Sequence, residues 1–263
     1  IIHRGGTMLK SARSEQFKTT DGMEQAYKAL VDNKIDALIA IGGDGTFTGA
    51  QEFHERFKIP VIGIPGTIDN DLYGTDYTIG YDTATNTALE AIDKIRDTAS
   101  SHDRLFFIEV MGRDAGFIAQ RSGIAGGAEA IWIPERDSSV DDLIETLEKG
   151  ARSNKSSSLV VVAEGGSYNA MELAKHVNEK FSHYDTRVTI LGHIQRGGSP
   201  SCFDRILASR LGVAAVEGLI DGKTDEMAGV KDNKVVYTPL DQATKEHPVL
   251  DEEVLRVAKI LSV

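Results

Sequence analysis

The chain reads as an α/β protein with largely parallel sheets, and three observations carry that reading. Apolar periodicity alternates along the chain between helical stripes and short continuous apolar runs, the pattern of buried parallel strands covered by helices on both faces. Polar, glycine-rich motifs follow directly on several of those runs, where the carboxyl ends of parallel strands open a ligand crevice. The length, 263 residues at 41% apolar and 26% charged, suffices for one large or two modest domains with a substantial core.

The elements follow in order. Met23, Ala26, Tyr27, Leu30 and Val31 share one helical face, and residues 36–41 form a short buried strand closed by Gly42-Gly43. Residues 46–57 are helical and 60–64 are the next strand. Ala84, Ala88, Ala91, Ile92 and Ile95 stripe a helix over 82–99. A strand at 105–110, a helix from Ala115, a strand at 130–133 and a helix through Leu143, Ile144 and Leu147 come next. The pattern continues with a strand at 159–163, a helix at 170–181 and a strand at 187–191. A long helix follows Phe203, and a short one closes the chain at 254–261. No internal repeat is present, and the stretch 74–80 is the best candidate for a domain crossing.

Composition excludes several classes of function. Lys plus Arg number 29 against 40 Asp plus Glu, a net charge of −11, which argues against a nucleic-acid or acidic-membrane binder. The single cysteine, Cys202, allows no intrachain disulfide and points to a reducing, cytoplasmic setting. No apolar run approaches the ~20 residues of a membrane span. The chain opens Ile1-Ile2-His3-Arg4-Gly5-Gly6, which reads as the interior of a domain and not as a leader peptide, so preceding sequence is expected.

Two motifs carry chemistry. Gly42-Gly43-Asp44-Gly45-Thr46 follows a strand and opens a helix. Glycines let the backbone approach a phosphate, the helix N-terminus favours the anion, and Asp44 offers a hard oxygen for Mg²⁺. The plain alternative is a tight turn with Asp44 as a cap, and the same loop type occurs in NAD kinases and lipid kinases. Pro65-Gly66-Thr67-Ile68-Asp69-Asn70-Asp71 follows the next strand. Two carboxylates beside a Thr and an Asn suit phosphoryl transfer, one as base and one assisting metal or water; taken alone, an Asx-rich loop capping its own backbone explains it as well.

Together these motifs resemble the bacterial ATP-dependent 6-phosphofructokinase family. Met111-Gly112-Arg113, Val162-Ala163-Glu164-Gly165, Leu191-Gly192-His193-Ile194-Gln195-Arg196-Gly197-Gly198 and the helix holding Asp93-Lys94-Ile95-Arg96-Asp97 match in colinear order over essentially the whole chain. The resemblance implies two three-layer αβα domains with largely parallel sheets and the active site in the cleft between them. On that likeness residues 1–79 and 192–245 form a nucleotide-side domain, and 80–191 and 246–263 a sugar-phosphate-side domain.

It also implies the reaction, transfer from Mg-ATP to the 1-hydroxyl of fructose 6-phosphate in glycolysis, and a set of roles. Asp69 matches the catalytic base, with Asp71 beside it. Thr67 resembles the residue bonding the transferring phosphoryl group, with Ile68 next to it in the substrate loop, and Arg113 a cation near that group. Asp44 resembles the Mg²⁺ carboxylate; Gly43, Gly45 and Thr46 resemble the nucleotide loop, and Arg13 with Ser14 a nucleotide-side pair. His193 and Arg196 match ligands of the 6-phosphate, Glu164 the carboxylate on the sugar hydroxyls, and Met111 and Gly112 line the same site. Arg104 and Arg187 resemble arginines that reach the phosphate from a neighbouring subunit of a homotetramer. Arg96, Glu129 and Lys155 match parts of an effector site for purine nucleotide or phosphoenolpyruvate.

Related enzymes use pyrophosphate, with larger or charged residues in place of Gly45 and Gly66; glycine at both positions here leaves room for ATP. Two departures from the family pattern stand out. Its first strand and first glycine loop precede Ile1, so turnover is expected from a longer chain and not from these residues by themselves. The loop Arg152-Ser153-Asn154-Lys155-Ser156-Ser157-Ser158 carries serines where the family places basic residues, which predicts weak or altered allosteric control. Two other readings remain open at this point: a different small-molecule kinase with the same glycine loop, of the NAD kinase kind, and a non-catalytic or regulatory remnant of the fold.

Overall fold

The computed structural model describes residues 1–99, 104–153 and 157–261. They divide into two compact units, Ile1–Gly80 with Gly198–Pro248, and Tyr81–Gly197 with Val249–Val263.

The first unit is built on a four-stranded sheet ordered β1-β2-β7-β8, from β1 (Leu38–Gly42), β2 (Val61–Pro65), β7 (Glu226–Lys231) and β8 (Lys234–Pro239). β1 and β2 run parallel in the register Leu38↔Val61 to Gly42↔Pro65, β7 joins β2 in parallel, and β8 returns antiparallel. β2 is buried throughout, and a core lies on each face of its sheet. On one face Ile62 and Ile64 meet Leu207, Leu211, Ala214 and Ala215 of α7 (Cys202–Ile220). On the other, Phe47 of α2 (Asp44–Phe57) packs with Leu72, Met227, Leu240 and Ala243, the last two from α8 (Leu240–Lys245). Gly63 is glycine because a Cβ there would lie 2.8 Å from the Phe47 ring. α1 (Thr20–Asp32) is capped by the Thr19 hydroxyl, which accepts from Gly22 N–H.

The second unit holds a wholly parallel sheet ordered β4-β5-β3-β6, from β3 (Arg104–Val110), β4 (Ala130–Trp132), β5 (Ser157–Ala163) and β6 (Asp185–Ile190). One face meets α5 (Val140–Arg152) and α6 (Ala170–Lys180) through Leu105, Phe107, Val160, Val162, Leu143, Leu147 and Leu173. The other is covered by α3 (Tyr81–Ala99) and α4 (Phe117–Ala125), which touch where Gly126 follows α4: a Cβ there would stand 2.6 Å from Ile92. Asn169 and Glu172 form a full capping box at the start of α6. α9 (Glu252–Leu261) completes the unit, with Gln120 of α4 donating to the Asp251 carbonyl.

The α/β class and the order of elements through α7 match the sequence reading. The correction concerns the end of the first sheet, where the reading had no strands. β7 and β8 are joined by a two-residue loop, Asp232-Asn233, with φ of 50° and 59°. That is the left-handed pair a tight hairpin needs, and Asp and Asn are the non-glycine residues that tolerate it best.

The same unit carries a destabilising group. Asp225 sits at φ 59° ahead of β7, its Oδ1 is buried without a partner, and burial pushes its carboxyl above the ordinary 3.8. The His54 ring opposes the rise, whereas Glu55, Asp241 and Glu226 add to it. A carboxyl raised in the folded state binds its proton better folded than unfolded, so stability is greatest in acid and falls as pH rises through the folded value. Asp225→Asn keeps a residue that accepts the left-handed backbone and removes the charge. Its melting temperature is expected to exceed that of the parent by a few degrees at pH 7–8, with the difference vanishing near pH 3; an unchanged difference across that range in a thermal-melt series would contradict the assignment.

Candidate active site

In the first unit two loops leave the carboxyl ends of adjacent parallel strands and lie side by side. The Gly42 carbonyl accepts from Gly66 N–H at 2.8 Å, locking the end of β1 to the end of β2. A Cβ on Gly43 would lie 3.3 Å from the Thr67 side chain. The glycine loop and the acidic loop are therefore neighbours in space, as the sequence required of one crevice.

Gly43 caps α2 without any side-chain hydrogen bond, and Asp44 follows in the first turn, exposed. The first N–H groups of a helix have no intrahelical partner and carry partial positive charge, which suits phosphate. Gly45 is informative by contrast with its neighbours. Gly42 must be glycine, because a Cβ would lie 2.3 Å from Thr46 Oγ1, and at Gly66 a Cβ would meet Ile41 at 3.1 Å. At Gly45 a Cβ would meet nothing within 4 Å, and its backbone does not require glycine. A Cβ at Gly66 would thus crowd Ile41, whereas Gly45 is exposed and a side chain there would meet no described atom within 4 Å.

In the second loop Asp69 and Asn70 are buried, at 4% and 8% exposure. The Asp69 N–H donates to the Thr67 hydroxyl at 3.2 Å, a local turn that leaves the hydroxyl's own proton for another acceptor. Asn70 is left-handed at φ 55°. Arg13 and Ser14 lie on the exposed segment ahead of α1, where Ser14 Oγ accepts from Phe17 N–H.

In the second unit the carboxyl ends of β3, β5 and β6 gather another set. Register Val110↔Ala163 and Glu109↔Ile190 brings the three strand ends level. Met111-Gly112-Arg113 leaves β3, Glu164 leaves β5, and a 3₁₀ turn, Gly192–Arg196, follows β6 with His193 and Arg196 exposed on it. Glu164 Oε1 accepts from Arg113 N–H at 2.9 Å and from Gly112 N–H at 3.3 Å. That carboxylate holds a strained turn, Gly112 at φ 144° and Arg113 at φ 53°, and so fixes the backbone from which the Arg113 guanidinium departs.

Arg104 and Arg187 are not brought to this cluster. Arg104 opens β3, six residues or roughly 20 Å from its carboxyl end, and lies opposite Asp185 in register. Asp185 Oδ2 pairs with Arg187 at 2.6 Å and with Arg104 Nε at 3.8 Å, so one carboxylate holds both arginines. Of the residues that the resemblance assigns to an effector site, Arg96 donates to the carbonyls of Gly126 and Gly127, and the buried Glu129 accepts from Leu159 N–H. Lys155 lies outside the described residues.

The sequence reading singled out neither Thr78 nor Asp204, both buried and both bonded to the acidic loop or its continuation. Their signal was weak: a Thr and an Asp in ordinary contexts, 11 and 124 residues from their partners.

Comparison with known proteins follows the same lines. A family model described as Phosphofructokinase matches residues 1–219. An ATP-dependent 6-phosphofructokinase of Cytophaga hutchinsonii is 54% identical over 264 residues, covering all of this chain and 80% of that protein. ATP-dependent 6-phosphofructokinase 1 of Thermus thermophilus is 54% identical over 263 residues, covering all of this chain and 81% of the relative. Among solved structures, phosphofructokinase from Saccharomyces cerevisiae superposes with a TM-score of 0.86 at 34% identity over 99% of this chain. The chain spans only 38% of that yeast polypeptide. A pyrophosphate-dependent phosphofructokinase from Marinobacter aquaeolei gives 0.79 at 26% identity, over 94% of this chain and 68% of its own.

Proposed function

This chain belongs to the phosphofructokinase family, and on that premise we propose that the intact protein containing it transfers the γ-phosphoryl group of ATP to the 1-hydroxyl of fructose 6-phosphate, giving ADP and fructose 1,6-bisphosphate. The observation that carries the reading is the pairing, at adjacent strand ends of one sheet, of the open Gly45 loop with the loop bearing Asp69.

Each residue then has a role. The N-terminus of α2, with Gly43, Gly45 and Thr46, receives the nucleotide phosphates, and Arg13 and Ser14 lie on the nucleotide side. Asp44, exposed in the first turn of α2, would hold Mg²⁺, which would supply charge neutralisation when bound; a single protein carboxylate fits that ion's usual binding with substrate phosphates. Asp69 takes the proton of the attacking hydroxyl, and Asp71 and Ile68 complete its loop. Thr67 accepts from Asp69 N–H and donates its own proton to a phosphoryl oxygen. Arg113, set by Glu164, neutralises charge on the transferring group. His193 and Arg196 hold the 6-phosphate beside Met111 and Gly112, and the second oxygen of Glu164 serves the sugar hydroxyls.

Arg104 and Arg187 serve the sugar phosphate of a neighbouring subunit in a homotetramer, a role supported for Arg104 by its distance from the carboxyl-end cluster of its own chain and for Arg187 by the Asp185 carboxylate it shares with Arg104. Arg96 and Glu129, with Lys155, form part of an effector site whose serine-rich loop gives weak control. The chain acts in the cytoplasm; among the described residues no helix is long and apolar enough to cross a membrane. An NAD kinase-like activity is disfavoured, because it leaves the sugar-side motif of His193 and Arg196 without a function.

Arg196→Ala tests the sugar half. Losing a charge-assisted contact to a dianion is expected to raise KM for fructose 6-phosphate by about 10–100-fold. KM for ATP should stay within about twofold, since uniform loss at one substrate leaves the other untouched. An equal change in both constants in steady-state assays would remove Arg196 from the sugar site.

A further inference from the structure

We propose that Thr78 and Asn70 form a hydrogen-bonded clamp that positions Asp69 for proton abstraction, anchored through residues 75–78 to the β7–β8 hairpin; this rests on Asp69 as the base. The acidic loop has no regular structure to hold it. Instead, a segment eleven residues on runs back beside it. Ile79 N–H donates to the Pro65 carbonyl at 2.8 Å, and the Thr78 hydroxyl donates to the Thr67 carbonyl at 2.7 Å. The Thr78 N–H donates to Asn70 Oδ1 at 2.8 Å, and Asn70 Nδ2 donates to the Asp76 carbonyl at 3.2 Å. The Thr78 oxygen also lies 3.2 Å from Asn70 Oδ1, but a hydroxyl has one proton and the shorter bond to Thr67 takes it.

The bonds fall on the two residues that flank Ile68-Asp69. Thr67 is held at its carbonyl and Asn70 at its side chain, so the arch carrying the base is fixed at both feet. Thr78 is 1% exposed, so water cannot replace the bond if the hydroxyl is removed. Asn70 adds a backbone constraint: its left-handed φ of 55° is one that Asn and Asp tolerate and most residues resist.

The clamp is itself tied down. Asp76 N–H donates to the Val230 carbonyl, Val230 N–H donates to Thr75 Oγ1, and Asp76 Oδ2 accepts from Asp232 N–H in the hairpin turn. At the far end Gly80 N–H donates to the buried Asp204 carboxylate on α7. The antiparallel hairpin is thus the rigid support behind the base. Thr78 and Asn70 are positioning residues, for they act on the reaction through Asp69.

Thr78→Val keeps the shape and removes the hydroxyl, leaving the Thr67 carbonyl without its donor. In the intact protein kcat is expected to fall on the order of tenfold with both KM values within about twofold, because a misplaced base affects the chemical step and not ground-state binding. Thr78→Ser, which retains the donor, should recover most of kcat. Asn70→Gly accepts the left-handed backbone but removes the acceptor for Thr78 N–H, so kcat should again fall on the order of tenfold with both KM values held. A Thr78→Val enzyme that melts lower yet turns over like wild type per folded molecule overturns the clamp, as does a Thr78→Ser variant no better than the valine. Should Thr78→Val fail to fold, an Asn70→Gly enzyme that turns over like wild type per folded molecule overturns it instead. Full-length wild-type protein without any fructose 6-phosphate-dependent ADP release would instead overturn the underlying role of Asp69, so the two failures are distinguishable.

Discussion

Asp69→Ser is expected to lower kcat on the order of 10²–10⁴-fold while both KM values change by less than about threefold. The physical reason is the narrow role of this carboxylate. Phosphoryl transfer asks little covalent chemistry of the protein, but the attacking hydroxyl must lose its proton as the bond forms. Asp69 is 4% exposed, at the carboxyl end of a buried strand, and solvent is a poor replacement there. The bonds of the Asp69 backbone N–H, Thr67, Asn70 and Thr78 do not use the carboxylate and remain to support the loop in the variant. Steady-state kinetics checks this directly: a serine variant at near-wild-type turnover would mean that another group takes the proton.

The second large effect is expected at Gly45. An aspartate there would project where a Cβ meets no described atom within 4 Å, and would bring a negative charge against the nucleotide phosphates proposed to bind this loop. Like-charge juxtaposition in a binding site costs several kcal/mol, so kcat/KM for ATP should fall on the order of 10²–10³-fold. Binding of fructose 6-phosphate, followed as thermal stabilisation by the sugar phosphate alone, should be unchanged. Gly45→Ala is the matching control. The position is helical, so alanine should stabilise the fold by up to about 1 kcal/mol. A methyl group in open space should weaken ATP use far less than the carboxylate does. Equal losses in the two variants would show that Gly45 serves the helix and not the ligand.

Much of this was legible in the residues, for reasons that can be named. β1 and β2 are continuous apolar runs, and the glycines and acids that follow them mark strand-to-loop exits, so both the strands and the loops could be placed. The helix of Ala84, Ala88 and Ile92 has a stripe that one period explains. The β7–β8 hairpin was missed because Glu226 to Lys231 mixes charge with a glycine and shows no clean alternation, although Asp232-Asn233 signals a turn and Val235-Val236-Tyr237-Thr238 a strand after it. Gly66 looked like a donor-selecting position, yet Ile41 gives it a packing reason that depends on strand pairing. Glu164 was read as a sugar ligand, and its grip on the Gly112-Arg113 backbone could not be foreseen, since it requires β3 and β5 to end level. The Thr78–Thr67 bond spans eleven residues of loop, and no periodicity encodes such a contact.

The most direct test is to follow phosphoryl transfer from γ-labelled ATP and identify the product. Label recovered on carbon 1 of fructose 6-phosphate as the 1,6-bisphosphate, with one ADP per sugar and no comparable product when pyrophosphate replaces ATP, is the predicted result. Label passing to water or to another acceptor, or equal product from pyrophosphate, would contradict the account.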